Sequence, residues 1–244
     1  MHLNADDPLA VALTAAIHAG RLDELSDLLA AHRGLASVRI VDAKGVGRTL
    51  LHIAADWPGH LPNASSTVTA LIEAGADPNA VLGPQGGAAA AETPLHWAAS
   101  NDDVATIDAL LDGGADLEAP GAIFTGGTPM SDAVIFAQWN AARRLLARGA
   151  QTTFSQSAAL GLTDRVASHF AADPPPSTDD VTNAFWNACR GGHRETAEYL
   201  LERGADLNWI GHDHKTPLEM ARESGVMPLV DWLLARGART AADL

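Results

Sequence analysis

The sequence predicts an all-α solenoid built from stacked helix-turn-helix units, and three observations support this fold class. First, 48 of the 244 residues are alanine, whose small side chain favours helix and lets neighbouring helices approach closely. Second, aromatic residues make up only 5% of the chain and β-branched residues are scarce, which favours helix over strand. Third, one phrase of small and apolar residues recurs along the chain, as is typical of a solenoid.

The recurring phrase predicts two helices in each unit, and its clearest copy lies at residues 93–116. Thr-Pro at 93–94 predicts the start of an inner helix, because Thr caps free N–H groups and Pro fits the first turn. The Ala pair at 98–99 allows close packing, and the Leu pair at 110–111 on the second helix fills the interface between units. Gly114 ends the second helix in a left-handed cap.

Further copies of the phrase precede and follow this one. Those at Thr49, Thr128 and Thr216 are nearly complete, two near residues 153 and 183 are weaker, and a capping copy stands first. We therefore predict a single domain, 1–244, with seven repeat units that span roughly residues 8–42, 43–80, 81–119, 120–150, 151–176, 177–208 and 209–244.

This pattern resembles the ankyrin repeat family, in its bacterial single-domain form, over roughly residues 8–240. The resemblance implies an ankyrin-repeat α-solenoid, a curved stack of helix pairs with β-hairpin fingers that line a concave groove. It also implies a protein partner, since this groove usually binds another protein in that family. The periodicity itself indicates only a helical solenoid with one extended face.

Departures from the repeat predict an uneven groove. The second repeat has five extra residues in the loop at 56–63, where two prolines stop the inner helix. The finger at 83–91, which precedes the inner helix of the third repeat, is also lengthened. Only two residues separate Ala150 from Thr153, and the link at 171–181 is also too short for a regular hairpin. We expect two fingers to be missing around the fifth unit, and such a groove can form a pocket.

Composition and charge exclude several classes of function. With 16 basic and 30 acidic residues, the net charge of −14 argues against nucleic acid and anionic membrane, which both need a basic face. The single cysteine, Cys189, excludes a disulfide framework and fits a reducing compartment. No apolar run approaches 18 residues, and the first residues are acidic where a signal peptide carries Lys or Arg. We expect a cytoplasmic monomer without a cofactor.

The inner helices present one face that suits a binding site. Positions at i, i+3 and i+4 along the stack place aromatic residues beside a few polar groups, the composition of both a ligand pocket and a protein hot spot. Trp186 stands where the clearest copy has histidine. The predicted binding groove consists of Asp56, Trp57, His60, Trp97, Asn101, Asp132, Phe136, Trp186, Asn187 and Arg190.

Asp132 stands out because its position is normally apolar, where an unpaired carboxylate is costly. One interpretation places it half in solvent, hydrogen-bonded to an adjacent loop. Another gives it a raised pKa and a role as acid or base, together with Asp56 and His60 but without a nucleophile or metal. A third pairs it with a donor, for which the candidates are Trp97, Asn101 and Arg190.

The other histidines have structural interpretations. His52 and His96 are the repeat's own histidine, which typically satisfies backbone groups of the neighbouring turn. The His-Asp-His run at 212–214 offers only two imidazoles, so a solvated finger is a better interpretation than a metal site. His60 stays open between a structural and a functional role. We predict no metal site, because the sequence contains no clustered ligands.

The sequence therefore predicts a binding scaffold whose acidic, aromatic-lined concave groove holds a protein partner. Trp57, Trp97 and Phe136 would be its anchors. The alternative is a protein that binds a small organic ligand, or a cofactor-free acid–base enzyme of the isomerase, cyclase or lyase type. Its pocket would be built from repeats two to six, with Asp132, His60 and Asp56 as catalytic residues.

Overall fold

Pairs of short helices make up about half of the described residues, and the first helix of each pair begins after a Thr, Ser or Asp N-cap. The computed structural model describes residues 2–83 and 91–244, and the chain divides into two compact units, Met1–Gln151 and Thr152–Leu244. The lengthened finger predicted at 83–91 therefore falls mostly outside the described residues. None of the helices in the described ranges is long and apolar enough to cross a membrane.

The described residues of the first unit form four helix pairs and three strands. Its strands are β1 (His2–Asn4), β2 (Arg39–Val41) and β3 (Gly47–Thr49). Its inner helices are α1 (Pro8–His18), α3 (Leu50–Ala54), α5 (Pro94–Ser100) and α7 (Pro129–Ile135). Its outer helices are α2 (Leu22–Ala31), α4 (Ala64–Glu73), α6 (Val104–Asp112) and α8 (Trp139–Ala147).

The helices of the first unit stack in chain order. Each inner helix contacts the next inner helix, and each outer helix contacts the next outer helix. The alanine pairs at 54–55 and 98–99 are buried, as their predicted role in close packing requires. The leucines Leu71, Leu110 and Leu145 of the outer helices complete the core between the two rows.

The strands form one small sheet. β2 and β3 form an antiparallel hairpin, and β1 pairs with β2 in parallel, which gives the order β1-β2-β3. This hairpin is the one predicted finger with strand structure in the described residues. The strand β1 lies before residue 8, where the repeat pattern begins, so the repeat pattern did not predict it.

The second unit contains three helix pairs. They are α9 (Phe154–Ala159) with α10 (Thr163–His169), α11 (Thr178–Arg190) with α12 (Arg194–Leu201), and α13 (Pro217–Ser224) with α14 (Met227–Leu234). The inner helices α9, α11 and α13 pack in series. Short 3-10 turns lie at Leu35–Ser37 in the first unit, and at His212–His214 and Ala241–Asp243 in the second.

The sequence predicted a link over residues 171–181, but the last four of these residues belong to the helix α11. The helix begins at Thr178, because Ser177 and Asp180 form a capping box. It is 13 residues long, against six residues for α9 and eight for α13. The link before α11 is therefore shorter than the sequence predicted, and it consists largely of the prolines 174–176.

Candidate functional site

The ends of three successive inner helices are fixed in a row in the first unit. The side-chain amide of Asn101, after α5, donates to the carbonyl of Ala55, after α3, at 2.9 Å. The amide of Gln138, after α7, donates to the carbonyl of Ser100 at 2.9 Å. These bonds satisfy carbonyls that a helix end leaves free, and they set the spacing of the loops that follow each inner helix.

Three exposed aromatic side chains lie on the first unit. Trp57 is 81% exposed, Phe124 is 68% exposed and Phe136 is 42% exposed. Trp57 follows α3 in the extended loop, and Phe136 is the C-cap residue directly after α7. The rings of Phe124 and Phe136 lie 5.9 Å apart. We call Trp57, Phe124 and Phe136 the aromatic surface. Phe124 was not among the predicted groove residues, although an aromatic residue in a glycine-rich turn is a visible signal.

Trp97 is held by the protein itself, so it differs from Trp57. Its indole N–H donates to Oε2 of Glu92 at 3.1 Å, and the centre of its ring lies 5.1 Å from that of His52 in a T-shaped contact. Glu92 is buried, and burial raises the pKa of its carboxyl above the ordinary value. Sequence reasoning missed Glu92, because the repeat phrase begins at the residue after it.

Asp132 is completely buried. Its exposure is 0%, and neither carboxylate oxygen has a hydrogen-bond partner among the described residues. Burial, with a smaller contribution from the charge of Glu92, raises the pKa of Asp132 to about 8. The half-solvated position is therefore wrong. Two of the expected donors are committed elsewhere, since Trp97 donates to Glu92 and Asn101 donates to Ala55.

The other two members of the predicted acid–base set have partners of their own. Asp56 forms an ion pair with Arg48 at 2.7 Å, and its second oxygen accepts the backbone N–H of Trp57. His60 is exposed, and its backbone N–H donates to Oδ2 of Asp103 at 2.9 Å. The charged neighbour of Asp132 is Glu92 instead. Within the described ranges, no hydrogen bond or ion pair joins Asp132 to Asp56 or His60.

Two histidines of the first unit link neighbouring repeats, as predicted. Nε2 of His52 donates to the carbonyl of Glu92 at 3.1 Å, and Nε2 of His96 donates to the carbonyl of Gly127 at 3.3 Å. Nδ1 of each ring meets the hydroxyl of the Thr three residues earlier. These bonds fix the neutral tautomer with the proton on Nε2. Burial lowers the pKa of His52 to about 4, and it also lowers the pKa of His96.

In the second unit, Trp186 takes the place of this histidine. Its indole N–H donates to the carbonyl of Lys215 at 2.9 Å, the same link made by a different ring. Trp186 and Asn187 are buried, and Arg190 lies 5.8 Å from the Trp186 ring, so this part of the predicted groove is packed rather than open. Cys189 is a buried thiol whose pKa is raised by burial, which agrees with an inert core residue.

Two clefts of the described residues differ in place from the predicted pocket. One cleft of about 510 Å³ lies over the small sheet, against Arg39 and Val41. Another, of about 420 Å³, lies in the second unit beside Phe154 and Asp180. Neither is lined by a residue of the predicted groove. Across 2–83 and 91–244, no three His, Cys, Asp or Glu side chains are placed to hold a metal ion.

Comparison with known proteins agrees with this architecture. The model of a family described as "Ankyrin repeats (3 copies)" matches residues 61–156 and 157–243. The mouse (Mus musculus) protein fem-1 homolog A-like is 43% identical over 56 residues, which is 23% of this chain but only 9% of that protein. The crystal structure of the human ASB11 ankyrin repeat domain is 22% identical, with a TM-score of 0.53, and the match covers 91% of this chain and 96% of that one. At this identity the structural likeness shows the fold alone.

Proposed function

Because the chain belongs to the ankyrin repeat family, whose domains are generally protein-interaction scaffolds, we propose that it binds a protein partner through the aromatic surface of its first unit. The observation that carries the proposal is the exposure of Trp57, Phe124 and Phe136 on one unit. A single domain of seven repeats and a cytoplasmic location stay predictions from the sequence.

The aromatic surface has the composition of an interface hot spot. Large aromatic side chains carry a disproportionate share of binding free energy, because they bury much apolar area with few rotatable bonds. The contact between Phe124 and Phe136 restricts both rings before a partner arrives. A surface ordered in advance loses less conformational entropy on binding.

The charge of the first unit favours a basic partner. Its 151 residues carry 17 acidic and eight basic side chains, a net charge of −9. Four of those eight, Arg21, Arg48, Arg144 and Arg148, already form ion pairs with acidic residues of the same unit. A partner segment with Lys or Arg around an apolar centre would meet complementary charge, which mainly raises the rate of association.

The buried carboxylate does not support the enzymatic alternative. A general acid or base has to come within hydrogen-bond distance of its substrate. Asp132 has no exposed surface, and it lines neither of the two clefts described above. Its raised pKa follows from burial and from Glu92, which explains the shift without a catalytic role.

The proposal can be tested by quantitative capture of partner proteins. We expect Trp57→Ala and Phe124→Ala each to reduce the captured amount at least about tenfold, since loss of a hot-spot side chain costs about 2 kcal/mol. Met227→Ala is the control, because Met227 is an exposed apolar side chain of the second unit. Trp97→Ala is a poorer test, since it also removes the donor to Glu92. Equal capture by the wild type and both aromatic variants would refute the proposal.

A further inference from the structure

A cleft of about 420 Å³ lies in the second unit, beside the short proline-rich link between α10 and α11. We propose that this cleft binds an arginine side chain from a segment of a partner protein. The guanidinium would lie between the carboxylate of Asp180 and the ring of Phe154. The proposal concerns the second unit alone and does not depend on the aromatic surface of the first.

The walls of the cleft come from three parts of the unit. The start of α9 supplies Phe154, the end of α10 supplies His169, and the first half of α11 supplies Asp180 and Asn183. The prolines 174–176 close the remaining side, and their fixed φ angles make that wall stiff. The volume is within the range of pockets that enclose a ligand group.

The carboxylate of Asp180 is oriented and has an acceptor to spare. Its Oδ2 accepts the backbone N–H of Ser177 at 3.0 Å and the Ser177 hydroxyl at 2.6 Å. These hydrogen bonds lower the pKa of Asp180, so the group is ionised at neutral pH. Its Oδ1 accepts no hydrogen bond in the part of the chain that the structure describes, and it is therefore free to accept one from a ligand.

Phe154 and Asn183 supply a fixed ring and a fixed amide to the cleft. The Phe154 ring lies 5.2 Å from the ring of His169 and 5.7 Å from that of Phe170, so its plane is set by packing. Oδ1 of Asn183 accepts from Nδ2 of Asn187 at 3.2 Å, which leaves the Asn183 NH₂ group as a donor toward a partner carbonyl. A guanidinium can stack on a ring while its N–H groups donate in the plane, which an ammonium cannot do.

The charge of the cleft favours a cationic ligand over an anionic one. Its lining includes Asp180 and neither Lys nor Arg, and residues 173–180 contain three Asp without a basic residue. Arg165 on α10 donates to Oγ1 of Thr152 at 3.2 Å and does not line the cleft. An acidic side chain would meet the ionised carboxylate of Asp180, so like charges disfavour it.

Fluorescence anisotropy with the full chain tests the ligand chemistry. The probe is a labelled Gly/Ser peptide with one central arginine, and matched peptides carry citrulline, lysine or glutamate at that position. We expect the citrulline peptide to bind roughly tenfold or more weakly than the arginine peptide, because it loses a charge-assisted hydrogen bond. The lysine peptide should also bind more weakly. If the citrulline or glutamate peptide binds as tightly as the arginine peptide, the proposal is wrong.

Two variants and a matched control test the site. Asp180→Asn keeps an acceptor for Ser177 but removes the charge, and we expect it to weaken arginine-peptide binding about tenfold. Phe154→Leu should weaken it as well. Asp179→Asn removes the same charge one residue away, outside the lining, and should leave binding unchanged. Melting curves confirm that each variant is folded. Equal losses in the Asp179 and Asp180 variants, or no saturable binding of the arginine peptide by the wild type, would overturn the proposal.

Discussion

The buried carboxyl group of Asp132 lowers the free energy of unfolding, and other interactions of the first unit have to offset this loss. A completely buried carboxylate without a donor is held mostly as the neutral acid, and its pKa of about 8 expresses this. In the unfolded chain the group has an ordinary pKa near 3.8. Between these values the folded state holds a proton that the unfolded state has released, so the free energy of unfolding falls as the pH rises from about 4 to 8.

We therefore predict that Asp132→Asn stabilises the protein near pH 8 and has a much smaller effect near pH 4. The change keeps the shape of the side chain and removes the ionisation, so the gain at high pH is expected to be about 3 kcal/mol. Urea unfolding at several pH values measures it. Glu73→Gln, on an exposed turn of α4, is the control and should leave the pH profile unchanged. A gain that is the same at pH 4 and pH 8 would contradict the raised pKa.

Trp186 supplies the second prediction at this scale. Trp186→Phe keeps an aromatic ring but removes the N–H that donates to the carbonyl of Lys215. That carbonyl also accepts from the backbone of Gly211, so it is not left without a partner. We expect a loss of about 1 kcal/mol in the free energy of unfolding, the net value of one hydrogen bond, with part added for the smaller ring. Tyr199→Phe, on the neighbouring outer helix, serves as the comparison for a ring that loses only a hydroxyl.

The sequence indicated which residues are unusual for their position, but it did not indicate how deeply each of them is buried. It singled out Asp132, because a carboxylate broke an apolar pattern. It could not show that the side chain is sealed, since the position after the repeat's histidine is buried at Ile53 but partly exposed at Trp97. Glu92 and Phe124 were missed because both stand outside the helices that the repeat phrase defines.

Among the elements, the loop at 56–63 is an insertion that packs against its neighbours. The Asn63 side chain donates to the carbonyl of Gly20 at 3.0 Å, in the turn after α1. Gly20 has a φ of +62°, and a Cβ placed there would lie 2.1 Å from the carbonyl oxygen of Pro62. The insertion is thus a fitted part of the stack.

This contact predicts different effects for two glycine substitutions. Gly20→Ala should destabilise the protein by about 2–3 kcal/mol, because the left-handed conformation and the clash with Pro62 both oppose a side chain. Gly34→Ala, at a φ of +80° with no atom within 4 Å, should cost only about 1 kcal/mol. Chemical denaturation of both variants gives the comparison. Equal losses would show that the loop yields to the new methyl group.

The elements themselves were largely predictable. Thr-Pro and Gly-Ala mark helix starts and ends by local chemistry, so a short window of sequence suffices to place them. The helix α11 starts earlier than predicted because Ser177 and Asp180 form a capping box. Both residues were visible in the sequence, but they were interpreted as part of a link. The pairing of β1 with β2 joins residues 37 apart, and no local pattern encodes it.

For the whole molecule, charge is the property that composition fixes most directly. A net charge of −14 destabilises the compact state by self-repulsion, and salt screens this repulsion. The ion pairs of the first unit lie at the surface, where each contributes little. The balance of these effects therefore depends mainly on the net charge.

We predict that the melting temperature rises when NaCl is increased from 20 to about 200 mM, since the Debye length shortens over this range. Sucrose at matched osmolality is the control for effects unrelated to charge. A fall in melting temperature with added salt would mean that the local ion pairs outweigh the net repulsion.

At residue 186, tryptophan takes the place of the histidine that links repeats in the first unit, and this changes how the link responds to low pH. His52 and His96 connect repeats through imidazoles that acid can charge. Because burial lowers the pKa of both rings, the contribution of these two links to stability is lost as the pH falls below about 6.5. The indole of Trp186 cannot take up a proton in that range, so its hydrogen bond to the carbonyl of Lys215 does not depend on pH. Acidification should thus weaken the links made by His52 and His96 while the link made by Trp186 keeps its strength.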